Sequence, residues 1–160
     1  MAMYWALGLG NLTPSIAEAK IIEISDWEEA RYRSFHDTSA ADTISRIING
    51  YYNYQKVRLE RDVTTQDIVE ELEKGHLVIL PVDGQALGNP YFNQPGPERH
   101  MLVVTGYDYK KKEFITNDPG TRHGEDYRYS DNVLYSAMGD YVSGYHEPFP
   151  AQRPKNMICL

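Results

Sequence analysis

His100 and Asp118 bracket RHMLVVTGYDYKKKEFITNDPG, residues 99–120, whose β-branched and aromatic residues around a Lys-rich turn read as a β-hairpin. An imidazole beside a carboxylate is what general acid–base chemistry uses. The acid holds one tautomer, orients the ring and stabilises the imidazolium when it forms. Pairing through a four-residue turn sets Tyr107 near Lys112 and Val103 near Thr116, and puts Asp118 opposite Met101. The ends of paired strands lie about 5 Å apart, so Asp118 can reach the His100 ring. A shift of a residue or two in this register would change which face each side chain takes. Two readings stay open on the residues alone: a base with its orienting acid, or a surface hairpin with polar ends. Asp-Pro-Gly, after all, is a good turn former.

His100 and Asp118 also read, with His123 and Glu125 or Asp126, as metal ligands. Metal sites prefer tight spacing on one element or a pattern such as His-Glu-x-x-His. Here the groups are spread over a hairpin and a turn, so they read as solvated loop residues, and no metal or cofactor is expected. His36 and His76 read as structural. Tyr51, Tyr52 and Tyr54 read as core packing, whereas Tyr91 and Phe92 read as a groove wall because their loop runs directly into the His100 strand. Arg122 and Glu125 read as a weak surface pair.

The elements that must position these residues run helices first, strands second. Residues 1–9, MAMYWALGL, form an apolar helix without a cap, stopped by Gly8 and Gly10. Thr13-Pro14 caps SIAEAKIIEISDWEEARYR, a helix with Ile16, Ile21, Ile24 and Trp27 as its apolar stripe and a break near Ser25-Asp26. Thr38 or Ser39 caps a third helix in which Ile44, Ile47 and Ile48 face the core. KVRLE is a short strand, and Thr64-Thr65 caps QDIVEELEKG, with Gly75 as its stop. HLVILPV is a buried strand. DGQALGNPYFNQPGPE is a long loop, of a length that is often functional. After the hairpin come a polar turn, GTRHGEDYRY, and a short helix. The expected fold class is α+β, with a domain over 1–145 and a loosely attached Pro-rich tail over 146–160.

Bulk properties narrow the function. The 160 residues are 41% apolar, enough for one domain with a core. The net charge of −7 argues against a nucleic-acid surface, which needs clustered Lys and Arg. No apolar run approaches the roughly 18 residues of a membrane span. The single cysteine, Cys159, excludes an intrachain disulfide and does not settle the compartment.

GHLVILPVDG, a Gly/Pro-rich loop, HMLVVTGYD, a short basic turn and EFITNDPGTRHGEDYRYS together resemble the bacteriocin-processing-type cysteine peptidases of the papain-like group. The resemblance runs from residue 1 to about residue 141. It implies a papain-like fold, N-terminal helices packed on a small, mostly antiparallel sheet with a groove between, and a peptide or small amide as substrate. It makes His100 the general base and Asp118 its orienting partner, with Asn117 a weaker candidate for the same role. It also places a nucleophilic Cys at the N-terminus of the first helix, with an upstream Gln for the oxyanion hole. Residues 1–9 match the second half of that helix, so the Gln and Cys are expected ahead of Met1, and truncation is favoured over loss of the nucleophile. Cys159 follows PFPAQRPKNMI with no helix after it and is a poor substitute. The chain alone is therefore expected to be inactive. Self-association is expected through Met3, Trp5 and Leu7, which would lack part of their packing. The alternative is a non-catalytic module binding a peptide or other ligand in the same cleft.

Overall fold

The computed structural model describes residues 1–160. Six strands form one sheet in the order β1-β6-β2-β3-β4-β5. These are β1 (Arg58–Glu60), β2 (Val78–Val82), β3 (His100–Asp108), β4 (Glu113–Asn117), β5 (Tyr127–Ser130) and β6 (Met157–Cys159), every neighbouring pair antiparallel. The sheet is covered on both faces. Alternation along the strands sends Val78, Leu80, Val82, Leu102, Val104, Met157 and Cys159 to one side, where they pack with Ile68 and Val69 of α4 (Thr65–Glu73) and Leu134 of α6 (Asp131–Ala137). Val103, Ile158 and Leu160 point to the other side, against Ala2 and Met3 of α1 (Ala2–Ala6), Ala40 of α3 (Ala40–Asp42), and Ile48. The helices thus form two layers around the sheet.

Capping follows from composition. The Thr13 side chain accepts from the Ile16 amide with Pro14 at the first position of α2 (Pro14–Tyr32), and Thr64 and Asp67 form a reciprocal capping box on α4. Ser39 caps α3, which continues as a π-helical stretch over Thr43–Tyr51. Within that stretch Ile48 is fully buried while Ile44 packs at its margin.

Several expectations are corrected. No break interrupts α2, because the Ser25 hydroxyl satisfies itself on the carbonyl of Ile21 one turn back. Nor is its apolar stripe buried. Ile16 and Ile21 stand five residues apart, off the helical period, and Ile21 is 64% exposed. The loop after β2 contains a short helix, α5 (Gly84–Leu87), capped by Asp83. The stretch read as a polar turn supplies β5, whose Tyr127 and Tyr129 alternate with Arg128 on the edge of the sheet. In the hairpin, Val103 faces Asn117 rather than Thr116, and an irregularity between Val104 and Gly106 shifts the pairing further along.

The largest correction concerns the C-terminal end. Met157–Cys159 is no loose tail but a strand inserted between β1 and β2. MICL is too short to show a period, yet its alternate residues fill both cores. Met3, expected to lack packing, is buried, whereas Trp5 is 57% exposed and Leu7 also reaches solvent. No helix is long and apolar enough to cross a membrane.

Candidate active site

His100 opens β3, paired with Val82 of β2, and its even-numbered neighbours Leu102 and Val104 point into the larger core. Asp118 follows the last residue of β4 directly. Both side chains come to the same face, and His100 Nε2 lies 2.7 Å from Asp118 Oδ1. A carboxylate can only accept, so Nε2 carries the proton of the neutral ring. That leaves Nδ1, which makes no hydrogen bond in the protein, unprotonated and able to take a proton.

Asp118 is buried, yet it keeps its charge. Burial works to raise its pKa. The hydrogen bond and the charge of His100, with the Tyr129 hydroxyl and the Gly120 amide, outweigh that and hold it below the ordinary carboxylate value. Tyr129 donates to Oδ2 over 2.7 Å and Gly120 N–H donates to Oδ1 over 2.9 Å. Behind Tyr129, Asn89 Nδ2 donates to the phenol oxygen over 2.7 Å. The His100 ring stands edge-on to Phe92, centroids 5.5 Å apart.

Two glycines make this geometry sterically feasible. A Cβ on Gly120 would meet the Phe92 ring at 2.8 Å and His100 Cε1 at 3.0 Å. On Gly124 it would fall 1.8 Å from the Asp118 carbonyl oxygen, because the Asp118 amide donates to the Gly124 carbonyl across the turn. Asp-Pro-Gly and the run GTRHGEDYRY were legible in the sequence as turns, but not as the contacts that seat the acid.

The remaining candidates are placed as follows. Asn117 sits on the opposite strand face from Thr116, and its Oδ1 accepts the Asp126 amide. Tyr91 is exposed, stacks on His123 at 4.4 Å and lines an open polar cavity of about 690 Å³ with Pro119 and Gly120. Phe92 does not line that cavity; it is buried and supports the imidazole. A second cavity of about 770 Å³ lies between the helices and the residue 117–125 turn, lined by Met1, Tyr4, Ile21, Tyr52, Asp118 and Arg122. The start of α1 and residue 118 thus line one cavity, although the Asp118 carboxylate itself is fully buried. Arg122 and Glu125 line it without pairing to each other. No group of three His, Cys, Asp or Glu stands together as a metal site. His76 instead meets Glu71 at 2.7 Å.

Cys159 is 1% exposed on β6, between β1 and β2, and burial, reinforced by the charge of Glu71, pushes its thiol up to about 12. Tyr129 and Asn89 went unnoticed in the sequence. The alternation Tyr127-Arg128-Tyr129 was the available signal for the first; nothing local marks the second.

A model of the family described as the Peptidase_C39 like family matches residues 15–145. No curated protein matches the chain.

Proposed function

We propose, for a chain that belongs to the Peptidase_C39 like family, that His100 and Asp118 are the base and orienting acid of a cysteine peptidase-like site. The observation that carries this is the 2.7 Å contact between His100 Nε2 and a buried Asp118 that accepts two further donors. It leaves Nδ1 as the free base.

The chemistry such a pair serves is acyl transfer. Nδ1 takes the proton of a thiol, the thiolate attacks the carbonyl carbon, and the imidazolium returns the proton to the departing amine. Water, deprotonated by the same nitrogen, then cleaves the thioester and regenerates the thiol. Asp118 remains ionised throughout and keeps the ring aimed. Cys159 does not supply the thiol: it is buried in the sheet and its pKa is raised, the reverse of an activated cysteine. These 160 residues alone therefore hydrolyse no peptide. The start of α1 lines a cavity together with Asp118.

A second reading, a non-catalytic module holding a peptide or other ligand, is favoured by that cavity's apolar lining of Tyr4, Ile21 and Tyr52. The DNA read in frame ahead of Met1 separates the two. A Gln followed shortly by Cys supports the peptidase; Ser, Ala or Gly in the place of Cys supports the binding module. Independently, the Cys159→Ser chain is expected to leave peptide and ester substrates intact. Turnover above that of a His100→Ala control would contradict the expectation that this chain alone is inactive.

A further inference from the structure

One buried hydrogen-bond chain behind the site has a direction fixed by chemistry. Asn89 is 1% exposed, and its Oδ1 accepts the backbone N–H of Tyr91 over 3.0 Å. That contact turns Nδ2 towards Tyr129, to which it donates. An amide nitrogen only donates, so the phenol oxygen accepts there and must direct its own proton elsewhere. Its other partner is Asp118 Oδ2, which only accepts. Every proton from Tyr91 to Asp118 therefore points towards the acid.

The two oxygens of Asp118 are thereby given different tasks. Oδ1 takes His100 and Gly120; Oδ2 takes Tyr129 alone. Tyr129 is itself held in place, buried on β5, paired with Phe114 across the sheet and packed on Tyr127 with centroids 4.7 Å apart. Asn89 belongs to the turn that leads into Phe92, the ring beneath His100. One loop thus supports both members of the pair.

We infer that Tyr129, oriented by Asn89, is a positioning residue: its hydroxyl occupies Asp118 Oδ2 so that the ionised carboxylate presents Oδ1 to His100 and cannot rotate. This rests on the reading of His100 and Asp118 as base and acid. Without the phenol proton, Oδ2 would be a buried, unsatisfied oxygen. The carboxyl would then relieve itself by taking up a proton or by turning, and either would release the imidazole from its single tautomer.

The experiment is nuclear magnetic resonance of the labelled chain, following the Asp118 carboxyl carbon and the His100 ring nitrogens against pH. Tyr129→Phe removes one oxygen from a ring whose packing it keeps. It is expected to raise the Asp118 midpoint by about one pH unit and to mix the His100 tautomers. Asn89→Leu is expected to move both readings in the same direction by less. An unchanged Asp118 midpoint with an intact Nε2–H tautomer in Tyr129→Phe overturns the inference. Should that variant not fold, an unchanged pair of readings in Asn89→Leu does so. A wild-type His100 protonated on Nδ1 overturns the base-and-acid reading itself, a different failure.

Discussion

Replacing Asp118 by alanine removes one acceptor from three donors at once: His100 Nε2 and the Tyr129 hydroxyl, each at 2.7 Å, and the Gly120 amide at 2.9 Å. Hydrogen bonds to a charged partner contribute about 1.5–3 kcal/mol each. They do not count equally here. Gly120 is solvent-exposed, so water replaces its partner, whereas Tyr129 is buried and its proton has nowhere else to go. His100 lies between these cases, its side chain 10% exposed. One bond at full weight, one discounted and one at little give a cost of about 3–5 kcal/mol, a large share of the roughly 5–15 kcal/mol of a typical domain. Asp118→Asn keeps the shape but turns one acceptor into a donor, so one of the two buried partners is lost, and about 1–3 kcal/mol is expected. Urea unfolding followed by circular dichroism measures both, with the slope unchanged if only stability moves. A loss below about 1 kcal/mol for Asp118→Ala, or a greater loss for Asn than for Ala, would refute the claim that Asp118 anchors this network.

Ending the chain after Lys155 removes Met157, Ile158, Cys159 and Leu160, all buried. At about 1.5–3 kcal/mol per large apolar side chain, the loss rivals the stability of the whole domain. Collapse of the dispersed amide spectrum is expected, and a folded truncate would restore the loose-tail reading. Cys159 in the native protein is expected to resist a thiol reagent and to react fully in denaturant; fast native labelling would show an accessible thiol. Acid lability follows from two carboxylates. Burial works to raise the Glu71 pKa, but its bonds to Lys74, His76 and Arg58 bring it down to about 2, and Asp118 is lowered in the same direction. A depressed carboxylate stabilises the fold above its unfolded value and loses that contribution as pH falls through the folded one. Melting temperature should therefore drop from about pH 5 downwards, and less steeply in Glu71→Gln; equal slopes would exclude Glu71 as a source.

The pair at the site was legible because its members lie on one hairpin and are carried by a local pattern that survives a one-residue error in register. Asp118 lies just past the strand, so its side chain did not depend on the pairing that was misjudged. What escaped notice came from farther along the chain. Tyr129 was hidden inside a run of charged and polar residues read as a turn, because an edge strand exposes every second side chain and Arg128 masked the alternation. Asn89 is set by tertiary structure alone. MICL gave no period at all, and a position beside the chain end argued for disorder where the sheet needed an interior strand. In α2 the isoleucines advertised burial that their spacing does not permit.

The most direct test of the site is the nitrogen spectrum of the neutral His100 ring in the unmodified chain. Nε2 should carry the proton and couple to Asp118, with Nδ1 bare; loss of that signature should follow in Asp118→Ala. A ring protonated on Nδ1, or one averaging freely between tautomers, would contradict the assignment of His100 and Asp118 as base and acid.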